Sequence, residues 1–159
     1  MELHNRKNIR LKDYDYSQNG AYFITICVKD KHEMLWDGLH VGARIARPPL
    51  TNAGEIVENA INEIPVRYPM MRLDKYIVMP NHLHMILIIQ NGGRAMRAPT
   101  ISTVVNQLKG CVTKRIGYSM WQKLFYDHII RNEEEYLRIW QYIDENPAKW
   151  EEDRYFVRD

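Results

Sequence analysis

Tyr76-Ile77-Val78-Met79-Pro80-Asn81-His82-Leu83-His84-Met85-Ile86-Leu87-Ile88-Ile89 is an apolar run that carries two histidines in its middle. Along an extended strand successive side chains alternate faces, so His82 and His84 project to one side while Leu83 and Met85 point to the other. Two imidazoles side by side can share one cation, and histidine is the commonest metal ligand. The run is rich in β-branched and large apolar residues, with turn residues at Pro80-Asn81 and again at Asn91-Gly92-Gly93. It reads either as one buried central strand or as two strand segments meeting at Pro80-Asn81. The plain structural alternative has one histidine hydrogen-bonded in the core and the other at a strand end.

The chain has 159 residues, 45% of them hydrophobic, enough for one core and one domain over 1–159, with a basic arm at 1–20 and a short charged tail at 149–159. Lysines and arginines number 22 against 20 acidic residues, so net charge does not announce a nucleic-acid binder and the distribution of charge has to decide. Cys27 and Cys111 form no CxxC pair and lie far apart, which points to buried thiols of a reducing compartment rather than a disulfide or a zinc ribbon. The N-terminus lacks an apolar signal region and no apolar run is long enough to span a bilayer, so the expectation is a cytoplasmic protein with no membrane segment.

Ala21-Tyr22-Phe23-Ile24-Thr25-Ile26-Cys27-Val28 is the clearest strand after the histidine run, which is expected to occupy Leu73 to Ile89. A helix is expected from Thr51 to Val66, capped by Thr51 or Asn52, with Ile56, Ala60, Ile61 and Ile64 on one face. A second follows Thr100 or Ser102, where Ile101, Val105, Leu108, Val112 and Ile116 recur at spacings of three or four, and Gly117 stops it. Trp121 to Ile130 reads as a strand. Asn132 then caps a third helix that opens with Glu133-Glu134-Glu135 and breaks at Pro147. This order predicts an α+β fold: a ferredoxin-like antiparallel sheet with helices packed on one side.

Basic residues gather in three places. Gly42-Ala43-Arg44-Ile45-Ala46-Arg47-Pro48-Pro49 is echoed by Gly93-Arg94-Ala95-Met96-Arg97-Ala98-Pro99, with the arginines three apart in each copy, and the second helix carries Lys109, Lys114 and Arg115. These seven residues are the candidates for phosphate contacts, although loops and a lysine-bearing helix face are equally read as solvated surface. On the last helix Tyr142 has Asn146 one turn onward, so phenol and amide share a face, whereas Tyr136, Ile139, Trp140 and Ile143 define a different, apolar stripe. Tyr142 is thus displaced toward a polar face. Tyr126 and Tyr136 are its rivals for a chemical role, with core packing the plainer reading of both.

Met79-Pro80-Asn81-His82-Leu83-His84, the segment from Trp121-Gln122 through Tyr126-Asp127-His128-Ile129-Ile130-Arg131-Asn132, and Tyr142-Ile143-Asp144-Glu145-Asn146-Pro147 together resemble the single-tyrosine HUH transposases. Within that family the chain is most similar to the REP-associated tyrosine transposases, over roughly Gly20 to Trp150. The resemblance implies that His82 and His84 hold a divalent cation, Mg²⁺ or Mn²⁺, with Asn146 completing the site and Tyr142 as nucleophile. It further implies an HUH-type endonuclease and strand-transferase that cuts single-stranded or hairpin DNA through a 5′-phosphotyrosine link, acting as a monomer or as a homodimer. A non-catalytic nucleic-acid binder on the same fold is the alternative.

Overall fold

Residues 20–38, 49–90 and 99–158 are described by the computed structural model. Four strands, β1 (Gly20–Cys27), β2 (Met71–Val78), β3 (His82–Ile89) and β4 (Tyr126–Ile130), form one sheet in the order β2-β3-β1-β4, and every neighbouring pair is antiparallel. Helices α1 (Asn52–Asn62), the short α2 (Ile64–Arg67), α3 (Ile101–Ile116) and α4 (Glu133–Glu145) complete an α+β fold. The histidine run is therefore two strands meeting at Pro80-Asn81, and β3 with its histidines is an inner strand.

Strand alternation sorts the core. Leu83, Met85, Leu87 and Ile89 of β3 join Tyr22, Ile24 and Ile26 of β1 on one face, where Val57 and Ile61 of α1 and Val105, Leu108 and Val112 of α3 cover them. Each such side chain, fully buried, contributes about 1.5–3 kcal/mol as an upper estimate. His82, His84, Thr25 and Phe23 take the opposite face. There α4 lies across the sheet, bringing the Tyr142 ring within 5.3 Å of the His84 ring and 6.3 Å of Phe23. The expected placement of helices on one side is corrected accordingly: α1 and α3 cover one face, and the third long helix carries its tyrosine to the other.

Two further boundaries differ from the sequence reading. Only Tyr126 to Ile130 of the expected Trp121–Ile130 strand pairs with β1, because Trp121 peels away into an isolated bridge with Val28. Pro65 sits in the first turn of the separate helix α2, consistent with its lack of an N–H at a helix's first positions. Trp140 does not belong to the apolar stripe of α4: it is 37% exposed and lies beneath the Lys75 ammonium, 3.8 Å from the ring centre. Trp150 packs with Trp36 and Met79 in a second small core, which Tyr155 and Phe156 border. The tail is thereby folded back beside the turn that precedes His82.

Caps set the helix starts. Thr51 accepts from Gly54 N at 3.1 Å while its hydroxyl donates to Met34 O at 2.7 Å, Thr100 accepts from Thr103 N, and Asn132 accepts from Glu135 N at 2.8 Å. At the start of α1 the backbone of Leu35 presses so close that a Cβ on Gly54 would lie 2.2 Å from Leu35 O and 3.0 Å from Leu50 Cβ. Gly54→Ala is therefore expected to destabilise the fold by about 2–4 kcal/mol, read as a lowered urea midpoint at unchanged slope. The loss should be visible because the contact is with backbone, which cannot turn away.

Candidate active site

The site begins at the turn between β2 and β3. Asn81 is buried, and its side-chain amide donates to Lys31 O at 3.2 Å and to Tyr155 O at 2.9 Å. With both hydrogens used, its Oδ1 faces His82 Nδ1 at 2.8 Å as an acceptor, which puts the His82 proton on Nδ1 and leaves the Nε2 lone pair free. That lone pair looks at His84 Nε2, 3.1 Å away. His84 Nδ1 in turn lies 2.7 Å from Thr25 Oγ1 of β1, a hydroxyl that can donate to it or accept from it. When Thr25 accepts, both Nε2 atoms present lone pairs to one point.

Burial fixes the charge state. His82 is 0% and His84 1% exposed. Loss of water, with a smaller contribution from the nearby Arg154 cation, lowers the His82 pKa to about 3, and burial followed by the fields of His82 and Arg154 holds His84 well below the usual imidazole range. Both rings are neutral at physiological pH.

Around them stand three more groups. Tyr142 Oη lies 3.4 Å from His84 Nε2 and 3.4 Å from Asp153 Oδ2, to which it donates. Loss of solvent, and then the Asp153 charge, push the phenol up to about 12. Asn146, one turn beyond Tyr142, is buried with both Oδ1 and Nδ2 lacking a well-formed hydrogen bond among the described residues. Its amide still lies near enough to the phenol to offset part of that rise. His82, His84 and Asp153 each offer a ligand atom, all within 4.8 Å of one another.

This set fits a hard divalent cation. Two ligands at right angles, about 2.1 Å from one ion, stand about 3 Å apart, close to the observed separation of the two Nε2 atoms. Each histidine has its other nitrogen held by a neighbour, as metal-bound imidazoles generally do. An orphaned amide in a buried place costs about 1–3 kcal/mol, a cost relieved if its oxygen ligates the ion. An imidazole pair with carboxylate and amide oxygens suits Mn²⁺ or Mg²⁺ better than a thiolate-seeking metal.

The structure thus brings Tyr142, His82, His84 and Asn146 of the expected site together. It separates from it the three basic candidates that are described. Lys109, Lys114 and Arg115 ride on α3, across the sheet; the Lys109 ammonium donates to the carbonyls of Gln122 and Lys123 at 2.8 and 3.4 Å, and Arg115 donates to both carboxylate oxygens of Glu63 at 2.8 and 2.9 Å. Lys114 is exposed on α3. Arg44, Arg47, Arg94 and Arg97, like the basic arm, lie outside the described residues. Of the rival tyrosines, Tyr136 donates to the Asp74 carboxylate and Tyr126 packs edge-on against Phe23.

Sequence reasoning did not find Asp153, Asn81, Thr25 or Arg154. Asn81 was read only as a turn residue, although an Asn directly before a buried His is well placed to fix its tautomer. Thr25 carried a signal too, as the one aliphatic hydroxyl in an otherwise apolar and aromatic strand. Tyr155 stacks on His82 with ring centres 4.4 Å apart, so the segment from Asp153 to Phe156 closes over the histidines.

No family model matches the chain. It is 36% identical to an uncharacterized protein of Haemophilus influenzae Rd, over 98% of this chain and 95% of that one. The chain belongs to one family with that protein. It is 24% identical to the REP-associated tyrosine transposase of Escherichia coli K12, over 84% of this chain and 70% of the other. A solved structure of a REP-associated tyrosine transposase bound to a REP hairpin superposes with a TM-score of 0.67 at 22% identity, covering 89% of this chain and 74% of that one. A candidate transposase from Deinococcus radiodurans R1 superposes at 0.51 with 18% identity, over 85% and 95% of the two chains. The fold is that of the REP-associated tyrosine transposases, and the chain is their relative in sequence. No described helix is long and apolar enough to cross a membrane.

Proposed function

We propose that this chain is a metal-dependent, single-strand DNA endonuclease and strand-transferase that cuts beside hairpin-forming repeats, with Tyr142 as nucleophile and His82, His84 and Asn146 as metal ligands. The observation that carries the reading is the Tyr142 Oη at 3.4 Å from His84 Nε2, whose neighbour His82 Nε2 lies 3.1 Å further. A phenol and a cation pocket thus face the same small volume. The hairpin-bound relative supports the choice of DNA.

A bound Mg²⁺ or Mn²⁺ would supply charge neutralisation on the scissile phosphate. The chain's residues do the rest. Tyr142 attacks phosphorus in line with the 3′ oxygen, the P–O3′ bond breaks, and the new bond is a 5′-phosphotyrosine. The leaving 3′ oxygen takes a proton from water and becomes a free 3′-OH. A phenol pushed up to about 12 is protonated at neutral pH, so its proton must depart in the same step. Asp153, which accepts from Tyr142 Oη, is placed to receive it. Because the phosphotyrosine conserves the bond energy, another 3′-OH can reverse the step and join strands without ATP.

Entry of a phosphate requires Tyr155 to leave its place over His82, since both imidazoles are buried while it stays there. Arg154 bonds the Tyr155 hydroxyl at 3.1 Å and would move with it, keeping a cation near the incoming phosphate. Asp153→Asn should lower the rate of covalent adduct formation by about 10–100-fold with little change in DNA affinity. The measurement is single-turnover formation of a protein–DNA band with Mn²⁺ and an end-labelled hairpin oligonucleotide; an unchanged rate would remove Asp153 from the proton path.

A further inference from the structure

An open groove of ≈ 1070 Å³ is lined on one side by residues 29–31 and on the other by Gln122, Lys123 and Leu124 with Trp121 and Ser119. Its two walls are the turn that follows β1 and the segment that precedes β4. Backbone bonds hold them together: Lys29 N donates to Met120 O at 2.8 Å and Gln122 N to Cys27 O at 2.9 Å. The half-buried Lys109 ammonium, held between the carbonyls of Gln122 and Lys123, stiffens the second wall from behind. The groove is therefore a preformed surface.

Three lysines face one aspartate here, and all three are exposed. The turn that presents two of them is strained: Asp30 and Lys31 both have φ of 55°, a left-handed conformation that costs a non-glycine residue about 1 kcal/mol or more. The wall also offers Leu124, 48% exposed, while Trp121, packed into the main core, anchors the wall from within. A row of cations above an apolar wall is the surface on which a nucleic-acid strand lays phosphates and base faces.

The groove is also joined to the catalytic pocket. Asn81, whose Oδ1 orients His82, donates to the carbonyl of Lys31. Val28 N, one residue before Lys29, donates to Asn81 O at 2.8 Å. Cys27, just before Val28, stands in register opposite His82, and its carbonyl accepts from Gln122 N of the second wall, so one residue touches both the site's strand and the groove.

We infer that this groove is the track for the single-stranded DNA flank entering the Tyr142 pocket, with Lys29, Lys31 and Lys123 on consecutive phosphates and the exposed Leu124 beneath a base. The inference rests on the proposed function for the identity of the strand, and gives that site a direction of approach.

The test compares wild type, K29A/K31A/K123A and the equal loss of charge at R67A/R72A/R138A. Fluorescence anisotropy measures binding to a hairpin with and without a single-stranded flank, and to a blunt duplex, between 50 and 300 mM salt. Three lost phosphate contacts should weaken binding of the flanked hairpin by roughly tenfold or more, and lower the slope of log affinity against log salt by about 2. The blunt duplex and the control variant should change far less. Equal loss on duplex and flank, equal loss in the control, or no loss would each overturn the assignment. Circular dichroism of each variant establishes folding; the lysines make no core contact, and single lysine variants repeat the comparison if the triple variant is unfolded. A groove variant that loses flank binding while wild type forms no covalent adduct upholds the track and rejects the catalytic reading, whereas an adduct with unchanged flank binding does the reverse.

Discussion

Tyr142→Phe is expected to abolish the covalent protein–DNA adduct, a fall on the order of 10⁴-fold or more, while leaving DNA affinity and thermal stability close to wild type. The expectation follows from geometry. The ring of Tyr142 packs edge-on against Phe23 and tilted against His84, and phenylalanine preserves both contacts. Only the hydroxyl is lost, and it makes two long hydrogen bonds of 3.4 Å, to His84 and to Asp153. Their removal costs the fold little, and relieves the Asp153 carboxylate of a neighbour rather than stranding it in the core, since Asp153 Oδ1 still accepts from Tyr155 N at 2.7 Å. A variant that melts as wild type does and binds the flanked hairpin, yet gives no adduct, separates chemistry from folding. An undiminished adduct in the variant would transfer the role to another tyrosine, with Tyr126 and Tyr136 next in turn.

The second large effect concerns the cation. His82→Ala and His84→Ala should each weaken Mn²⁺ binding by roughly 100-fold or more, and the pair together should eliminate it, measured by titration calorimetry or by the free-ion signal in electron paramagnetic resonance. Adduct formation should fall in parallel and chelator should suppress it in the wild type. The His82→Ala variant also strands the Asn81 Oδ1 acceptor in a buried place, so some loss of stability is expected from it. His82→Gln, which can restore a donor toward that oxygen, should recover stability without recovering the metal. Asn81→Ala offers a subtler check, because it keeps both histidines and removes only the group that fixes the His82 tautomer. One tightly bound Mn²⁺ per chain in the wild type, lost in both histidine variants, is the outcome expected; binding that survives in the double variant would mean that the ion is held elsewhere.

How far the sequence carried the reading depends on the reach of each interaction. Alternation along a strand is local, so the common face of His82 and His84 was legible, whereas Pro80-Asn81 left one strand and two as alternatives, between which the pairing of β2 with β3 decides. Capping is local too: Thr51, Thr100 and Asn132 all begin helices where their side chains accept from backbone three residues on. Tyr142 and Asn146 are one helical turn apart, and their shared face follows from the helix itself. The face of the sheet that α4 would choose is a tertiary matter. Its stripe of Ile139 and Ile143 is apolar enough to cover either side, and the strand that its tyrosine meets is far away in sequence. Thr25 reaches His84 across 59 positions and Asp153 meets Tyr142 by way of the folded-back tail, so neither partner has a spacing to be read. The strand expected from Trp121 failed for a related reason: Trp121 and Met120 are drawn into the main core, which pulls the chain off the sheet edge before Tyr126. The basic residues show the limit most plainly. Lysines of α3 resembled a phosphate track on a helical wheel, yet that helix covers the other face, and the lysines that stand beside the site come from two short connections with no periodicity at all.

The most direct test of the account is to map the attachment point. Wild-type protein is incubated with Mn²⁺ and a hairpin oligonucleotide labelled on each end in turn, the adduct is digested with nuclease and protease, and the modified peptide is sequenced by mass spectrometry. The expected product is a nucleotide joined through its 5′ phosphate to Tyr142, with the released strand ending in a free 3′-OH. A modification on any other residue, or cleavage that leaves a 5′ phosphate with no covalent intermediate, would contradict it.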